Sequence, residues 1–190
     1  MELQNIKGRL FVFSAPSGAG KTTIVRYILK QFPNLVFSIS ATTRKARNVE
    51  KHEKDYFFIT EEVFKDKIDK NEFVEWEKFY DYYYGTLKSF VNNEIEAGNS
   101  VVLEVDVKGA VKIKESYPDA VLIFVSPPSL EELTNRLINR KTETSEDLKK
   151  RIERAEMEMG YKDNFDHVVL NDDLEKAKIE AEKILKKYIN

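Results

Sequence analysis

Leu10-Phe11-Val12-Phe13-Ser14-Ala15-Pro16-Ser17-Gly18-Ala19-Gly20-Lys21-Thr22-Thr23 is the stretch on which the fold turns. Leu10 to Phe13 is an unbroken apolar run, as in a strand buried on both faces of a parallel sheet. Beyond Thr23, the residues Ile24, Val25, Ile28 and Leu29 recur at helical spacing. Between the two, Gly18 and Gly20 let the backbone curl so that successive N–H groups point inward at an anion, and the next helix adds its positive N-terminal end. Strand, glycine-rich turn and helix are the setting of a P-loop. Lys21 is placed to bridge the β- and γ-phosphates of a nucleotide, and the Thr22 hydroxyl to ligate Mg²⁺. The pattern G-x-x-x-x-G-K-[ST] is broken only at its first glycine, where Ala15 stands and must adopt a backbone conformation open to a residue with Cβ. The expected ATP contacts are Ala15, Pro16, Ser17, Gly18, Ala19, Gly20, Lys21, Thr22 and Thr23. An ordinary turn with a solvated lysine would not bring strand, helix, glycines, Lys and Thr into agreement.

Outward from this stretch, Val101 to Leu103 and Val121 to Val125 read as further buried strands, and His167 to Leu170 as a weaker one. Helical patterns lie between them, at Val91 with Ile95, Val107 to Ser116, Leu130 with Leu133 and Leu137, and Leu174 to Tyr188. Alternating strands and helices imply right-handed crossovers and a three-layer α/β/α fold, with ligands at the C-terminal ends of a parallel sheet. Two segments break the rhythm. Residues 37–90, rich in Tyr, Phe, Ser and Thr with one short helix at Glu61 to Asp69, read as an inserted mixed-β lobe. Residues 127–159, charged and helical on either side of a polar turn at Lys141 to Ser145, read as a mobile lid. Segments 1–36, 91–126 and 160–190 remain as the core.

With 31 Lys and Arg against 33 Asp and Glu, the net charge is -2, so no global basic field draws the chain onto nucleic acid. The absence of Cys removes disulfides, thiolate metal sites and thiol catalysis, and two histidines cannot make a histidine-rich metal cluster. The N-terminal apolar run is too short for a signal peptide or a membrane span, which fits a cytoplasmic protein.

The lobe carries Ser38-Ile39-Ser40-Ala41-Thr42-Thr43-Arg44-Lys45-Ala46-Arg47, Asp55-Tyr56, Asn71-Glu72-Phe73-Val74-Glu75-Trp76 and Tyr83-Tyr84-Gly85-Thr86, followed by Glu104-Val105-Asp106-Val107-Lys108-Gly109. In this order and spacing the motifs resemble the guanylate kinase family. The resemblance implies a P-loop nucleoside monophosphate kinase that takes ATP with Mg²⁺ and GMP, acting as a monomer or homodimer. It implies that Arg44, Arg47, Tyr56 and Tyr84 hold the GMP phosphate and that Ser40, Glu75, Thr86 and Asp106 read guanine. The chemistry agrees, because a phosphate monoester suits guanidinium forks and phenol donors. Guanine offers adjacent donors at N1 and N2, which a carboxylate such as Glu75 or Asp106 can accept, while hydroxyls can donate to O6. Adenine reverses this pattern and would leave buried groups unpaired. The family often has Pro at Ala46 and a Pro-Gly pair at Asn48-Val49, so this loop departs from it.

Arg136 to Glu146, followed by Arg151, is similar to the family's lid, which brings arginines to the transferring phosphoryl group. Arg140 and Arg151, with Lys21 and Arg44, are the expected catalytic residues. Arg136 and Arg154 read instead as surface residues pairing with Glu132 and other lid acids. Asn171 resembles a residue of the adenine side. Phosphoryl transfer needs alignment and charge neutralisation rather than a covalent intermediate, so an open and a closed state are expected. A rival reading is a catalytically inactive phosphopeptide-binding relative, but such modules usually lack the loop lysine and the lid arginines.

Overall fold

The computed structural model describes residues 8–47, 50–79, 81–139 and 145–189. The strands are β1 (Leu10–Ser14), β2 (Val36–Phe37), β3 (Ala41–Thr42), β4 (Phe57–Phe58), β5 (Phe73–Phe79), β6 (Tyr82–Leu87), β7 (Val101–Glu104), β8 (Val121–Ser126) and β9 (His167–Leu170). The helices are α1 (Lys21–Gln31), α2 (Glu61–Asp69), α3 (Lys88–Glu96), α4 (Val107–Ser116), α5 (Leu130–Asn139), α6 (Ser145–Met159) and α7 (Leu174–Lys186). A parallel sheet of order β2-β7-β1-β8-β9 forms the centre.

Strand periodicity splits β1 between two cores, since successive side chains point to opposite faces. Phe11 and Phe13 join Ile24, Ile28, Ala181 and Leu185 on the face covered by α1 and α7. Leu10 and Val12 join Val91, Ile95, Ala110 and Ile113 on the face covered by α3 and α4. The expected three-layer α/β/α architecture is therefore present. The short edge strand β2, unforeseen in the sequence, pairs with β7.

The second sheet, β4-β3-β6-β5, is mixed: β3 runs parallel to β4 and antiparallel to β6. It has its own small core, where Phe64 of α2 stacks on Phe73 with ring centroids 4.3 Å apart. Val74 of β5 packs instead into the core beneath α3 and α4, so one strand anchors the lobe to the main sheet. Helices α5 and α6 stand where the lid was expected. Arg140 and the turn up to Thr144 lie outside the described residues, as do Asn48 and Val49 of the departing loop.

Phe64 is fully buried and fills most of the lobe's core. Phe64→Ala should cost about 3–5 kcal/mol, read as a lower urea midpoint for the whole chain or as a separate early transition of the lobe.

Candidate active site

The cleft is built on the register of β1 and β7. Phe13 lies opposite Glu104, and the Val105 N–H donates to the Phe13 carbonyl at 3.1 Å. The glycine-rich loop after β1 and the acidic stretch after β7 therefore leave the sheet side by side. Lys21 opens α1 and bends back to donate from Nζ to the Val105 carbonyl at 2.9 Å. Burial pushes its ammonium below the ordinary value, against the opposing pull of Glu104, Asp106, Glu158 and Glu75. Beside it, Thr22 Oγ1 donates to Glu104 Oε2 at 3.0 Å.

Gly18 and Gly20 have φ of 94° and 95°, in the left-handed region that favours glycine. At Gly20 a Cβ would also lie 2.3 Å from Asn171 Nδ2. That amide donates to the Ala19 carbonyl at 2.7 Å and grips the loop from behind. The Asn171 carbonyl in turn accepts from Arg136 Nη1 at 3.1 Å. Ala15 is buried and packs into the core beside Phe13 and Ala19, and among the described residues its φ is not positive. The methyl group that departs from the P-loop pattern thus has a packing role. A cavity of about 400 Å³ lies over this loop, with Lys21 and Thr22 on one side, Asp106 at its edge, and Arg151 and Arg154 of α6 on the other.

Next to the cavity, Glu75 and Thr86 come together from β5 and β6, opposite each other in register. Thr86 Oγ1 donates to Glu75 Oε1 at 2.8 Å. Glu75 is buried, and burial pushes its carboxyl up to about 7 in spite of that bond. A Cβ on Gly109 would lie 3.1 Å from Glu75 Oε2, so the glycine gives the carboxylate room against the first turn of α4. Asp106 caps the same helix, accepting from the Gly109 N–H at 2.6 Å. Two carboxylates thus converge at one helix N-terminus, which suits negative charge.

At the far end of the lobe, Arg44 lies over the Tyr56 ring at 5.3 Å, and the Tyr56 and Tyr84 rings meet edge to face with centroids 6.2 Å apart. Arg44 holds Glu50 with both guanidinium nitrogens, at 2.8 and 3.0 Å. Glu50 also accepts from the Arg47 backbone N–H at 2.8 Å. The Arg44 hydrogen bond, then that N–H, draw the Glu50 carboxyl down to about 2. Arg44, Tyr56 and Tyr84 are therefore brought together, Arg47 is exposed on the adjoining loop, and Ser40 is half-buried where β3 begins.

The structure corrects the reading of Arg154. It pairs with Glu158 on its own helix, Nε to Oε1 at 2.8 Å, as a surface residue would. Yet its Nη2 also reaches across to Glu77 of β5, at 3.2 and 3.1 Å from the two oxygens. Arg136 keeps its expected bond to Glu132, at 2.9 Å. Glu77, Glu104 and Glu158 are also brought to the cleft and were given no role by the sequence reading. Only Arg154 and Glu158 left a signal, since with Arg151 they lie three and four apart on one face of α6.

A family model described as guanylate kinase matches residues 7–188. A guanylate kinase of Bacteroides thetaiotaomicron is 49% identical over 190 residues, covering 99% of this chain and 93% of its own. One from Thermotoga maritima is 47% identical over 172 residues, covering 90% and 83%. Among solved structures, a guanylate kinase from Anaplasma phagocytophilum aligns with a TM-score of 0.74 at 30% identity, covering 96% of this chain and 86% of its own.

The raised Glu75 carboxyl has a consequence for stability. Between the ordinary carboxylate range and pH 7 the folded chain holds a proton that the unfolded chain has released, so this contribution falls as pH rises through that window. Glu75→Gln should therefore match the parent in urea unfolding at pH 4.5 and exceed it by about 2–3 kcal/mol at pH 8. Equal gains at both pH values would exclude an ionisation of Glu75 as the cause.

Proposed function

The chain belongs to the guanylate kinase family, and on that footing we propose that it transfers the γ-phosphoryl group of ATP directly to GMP, giving ADP and GDP. The observation that carries this reading is the meeting of two differently built pockets along the stretch from Glu104 to Asp106. On one side Glu104 takes the Thr22 hydroxyl of the glycine-rich loop. On the other, Asp106 accepts from the Gly109 N–H where that glycine also faces Glu75 of the lobe.

ATP would lie along residues 15–23, its phosphates on the inward backbone N–H groups and on Lys21. The buried ammonium has lost part of its hydration, which strengthens its pull on an arriving phosphate. Asn171 would serve the same site by holding the loop in shape. GMP would place its phosphate on Arg44, Arg47, Tyr56 and Tyr84, exchanging Glu50 for the incoming dianion as one of Arg44's partners. Its N1–H and N2 amino group would donate to Glu75 and Asp106. Thr86, whose proton is given to Glu75, orients that carboxylate, and Ser40 is left to donate to O6.

Thr22 and Glu104 are hard oxygen donors beside the loop, as a phosphate-borne Mg²⁺ requires, and they would hold the ion directly or through water. Among the described residues no group of three or more His, Asp or Glu could cage a metal by itself. The ion, when bound, would neutralise charge on the β- and γ-phosphates. Lys21, Arg44, Arg151 and Arg140 would surround the oxygens between the two nucleotides as charge spreads over them. The GMP phosphate oxygen is itself the nucleophile, so no side chain need attack. Closing α5 and α6 over the cleft would exclude water. No described helix is long and apolar enough to cross a membrane, and we place the activity in the cytoplasm.

IMP, which lacks only the N2 amino group, should lose about 1.5–3 kcal/mol in kcat/KM relative to GMP; equal values in a coupled ADP assay would remove Glu75 and Asp106 from base reading. Lys21→Ala should lower kcat at least about a hundredfold while calorimetric GMP affinity stays near that of the parent. Parallel loss of both would mean that the two nucleotide sites are not separate.

A further inference from the structure

The last turn of α6 carries a carboxylate that the reading above leaves unused. Glu158 is only 4% exposed and lines the cavity over the glycine-rich loop. Its Oε1 accepts from Arg154 Nε at 2.8 Å, whereas its Oε2 is buried and has no hydrogen-bond partner among the described residues. A buried carboxylate oxygen left unpaired costs free energy, and one that borders a ligand cavity points to a donor on the ligand. The chemistry of the cavity narrows that donor. Lys21 lines the same space but turns its ammonium to the Val105 carbonyl. Phosphate oxygens are acceptors with negative charge, so a triphosphate on the loop cannot serve Oε2. The N–H groups of the acceptor base are assigned above to Glu75 and Asp106. What a nucleotide has left to donate is a sugar hydroxyl.

Position selects the hydroxyl. Arg154 holds Glu158 through Nε and lies 3.9 Å from Asp106 Oδ2 through Nη2. One planar guanidinium therefore separates Glu158 from the carboxylate proposed to accept from the guanine N2 amino group. In a guanine nucleotide that amino group and the sugar 2′-hydroxyl lie along the same edge, and the adjacency to Asp106 assigns the oxygen to the acceptor nucleotide rather than to ATP. We propose that Glu158 is a specificity-determining residue: its free Oε2 accepts a hydrogen bond from the 2′-hydroxyl of GMP and makes the enzyme prefer the ribonucleotide to its 2′-deoxy form. The proposal rests on the placement of guanine against Asp106 under the functional reading above. Arg154 is then a positioning residue, fixing the other oxygen of Glu158 while its Nη2 reaches both oxygens of Glu77 on β5, at 3.2 and 3.1 Å. The sugar is read from α6 and the base from the lobe. A 2′-deoxy sugar leaves the buried oxygen unpaired and forfeits a charge-assisted hydrogen bond.

A substrate series in the coupled ADP assay tests this. In the parent, kcat/KM for 2′-deoxy-GMP should lie about tenfold below that for GMP, the lower end for a hydrogen bond to a charged group. 2′-Fluoro-2′-deoxy-GMP, which carries a substituent at the same carbon but cannot donate, should fall with the deoxy form. In Glu158→Met, which keeps the length of the side chain without a carboxylate, the three substrates should converge, while the preferences for GMP over IMP and for ATP over 2′-deoxy-ATP stay those of the parent. Glu158→Gln retains an acceptor for Arg154 and should narrow the gap, so the measurement stands even where the methionine variant does not fold. Equal values for GMP and its deoxy form, a fluoro substrate that behaves as GMP does, or an unchanged deoxy ratio in the variants would overturn the proposal. A variant whose IMP ratio shifts in step would also overturn it, because Glu158 would then act through Asp106. So would a shifted ATP ratio, because the oxygen would then serve the donor nucleotide. A parent that makes no ADP from ATP and GMP would instead overturn the functional reading itself.

Discussion

Everything in the cleft depends on the parallel pairing of β1 with β7. Because Phe13 and Glu104 are partners in that ladder, the glycine-rich loop and the turn that carries Asp106 emerge at the same height. The bond from Lys21 to the Val105 carbonyl closes the gap between them. A slip of one residue would turn every side chain of β1 to the opposite face. Phe11 and Phe13 would then exchange cores with Leu10 and Val12, so hydrophobic burial enforces the spacing of the two nucleotide sites.

The second governing quantity is charge held in poor solvation. Glu75, Glu77, Asp106 and Glu158 gather around Lys21 and Arg154, and burial opposes the charged form of Glu75, Glu77 and Asp106. The molecule answers in several ways: the Arg154 guanidinium on Glu77, a helix N-terminus under Asp106, and a hydroxyl on Glu75. None of these is as good a partner for Glu75 as a pair of fixed N–H donors. Such burial costs stability, and in the proposed reading guanine, with two adjacent donors on a flat ring, would offset the cost. In that reading discrimination against adenine would follow from the same source, since a wrong base leaves the burial penalty in place.

The acceptor lobe shows how a small unit can be both attached and independently ordered. Phe64 and Phe73 give it a core of its own, while Val74, on the alternate face of β5, belongs to the main core. Glu75 follows Val74 directly, so the residue proposed to face the base sits next to the anchor. Tyr56, Tyr84 and Arg44 lie further out on the lobe. Arg44 is preset there by its two bonds to Glu50, an arrangement that holds the guanidinium flat and oriented before any phosphate arrives.

What the sequence determined by itself was local and periodic. The apolar run from Leu10, the glycines at 18 and 20, Lys21 and the helical spacing beyond specify a phosphate cradle, because strand, turn and helix each follow from residues close together in the chain. The helix from Glu61 to Asp69 was legible for the same reason. The edge strand Val36–Phe37 was not, being only two residues long and half exposed. Glu77, Glu104 and Glu158 could not be told from other surface acids, since a carboxylate acquires meaning only from what folding sets beside it. Arg154 is the clearest case. Its spacing to Glu158 describes an ordinary exposed helix pair, and only the approach of β5 to α6, between residues 77 positions apart, placed it against Glu77 and Asp106. Tertiary structure decided those long-range electrostatic pairings, because the energy of two charges depends on their distance and solvation rather than on their order in the chain.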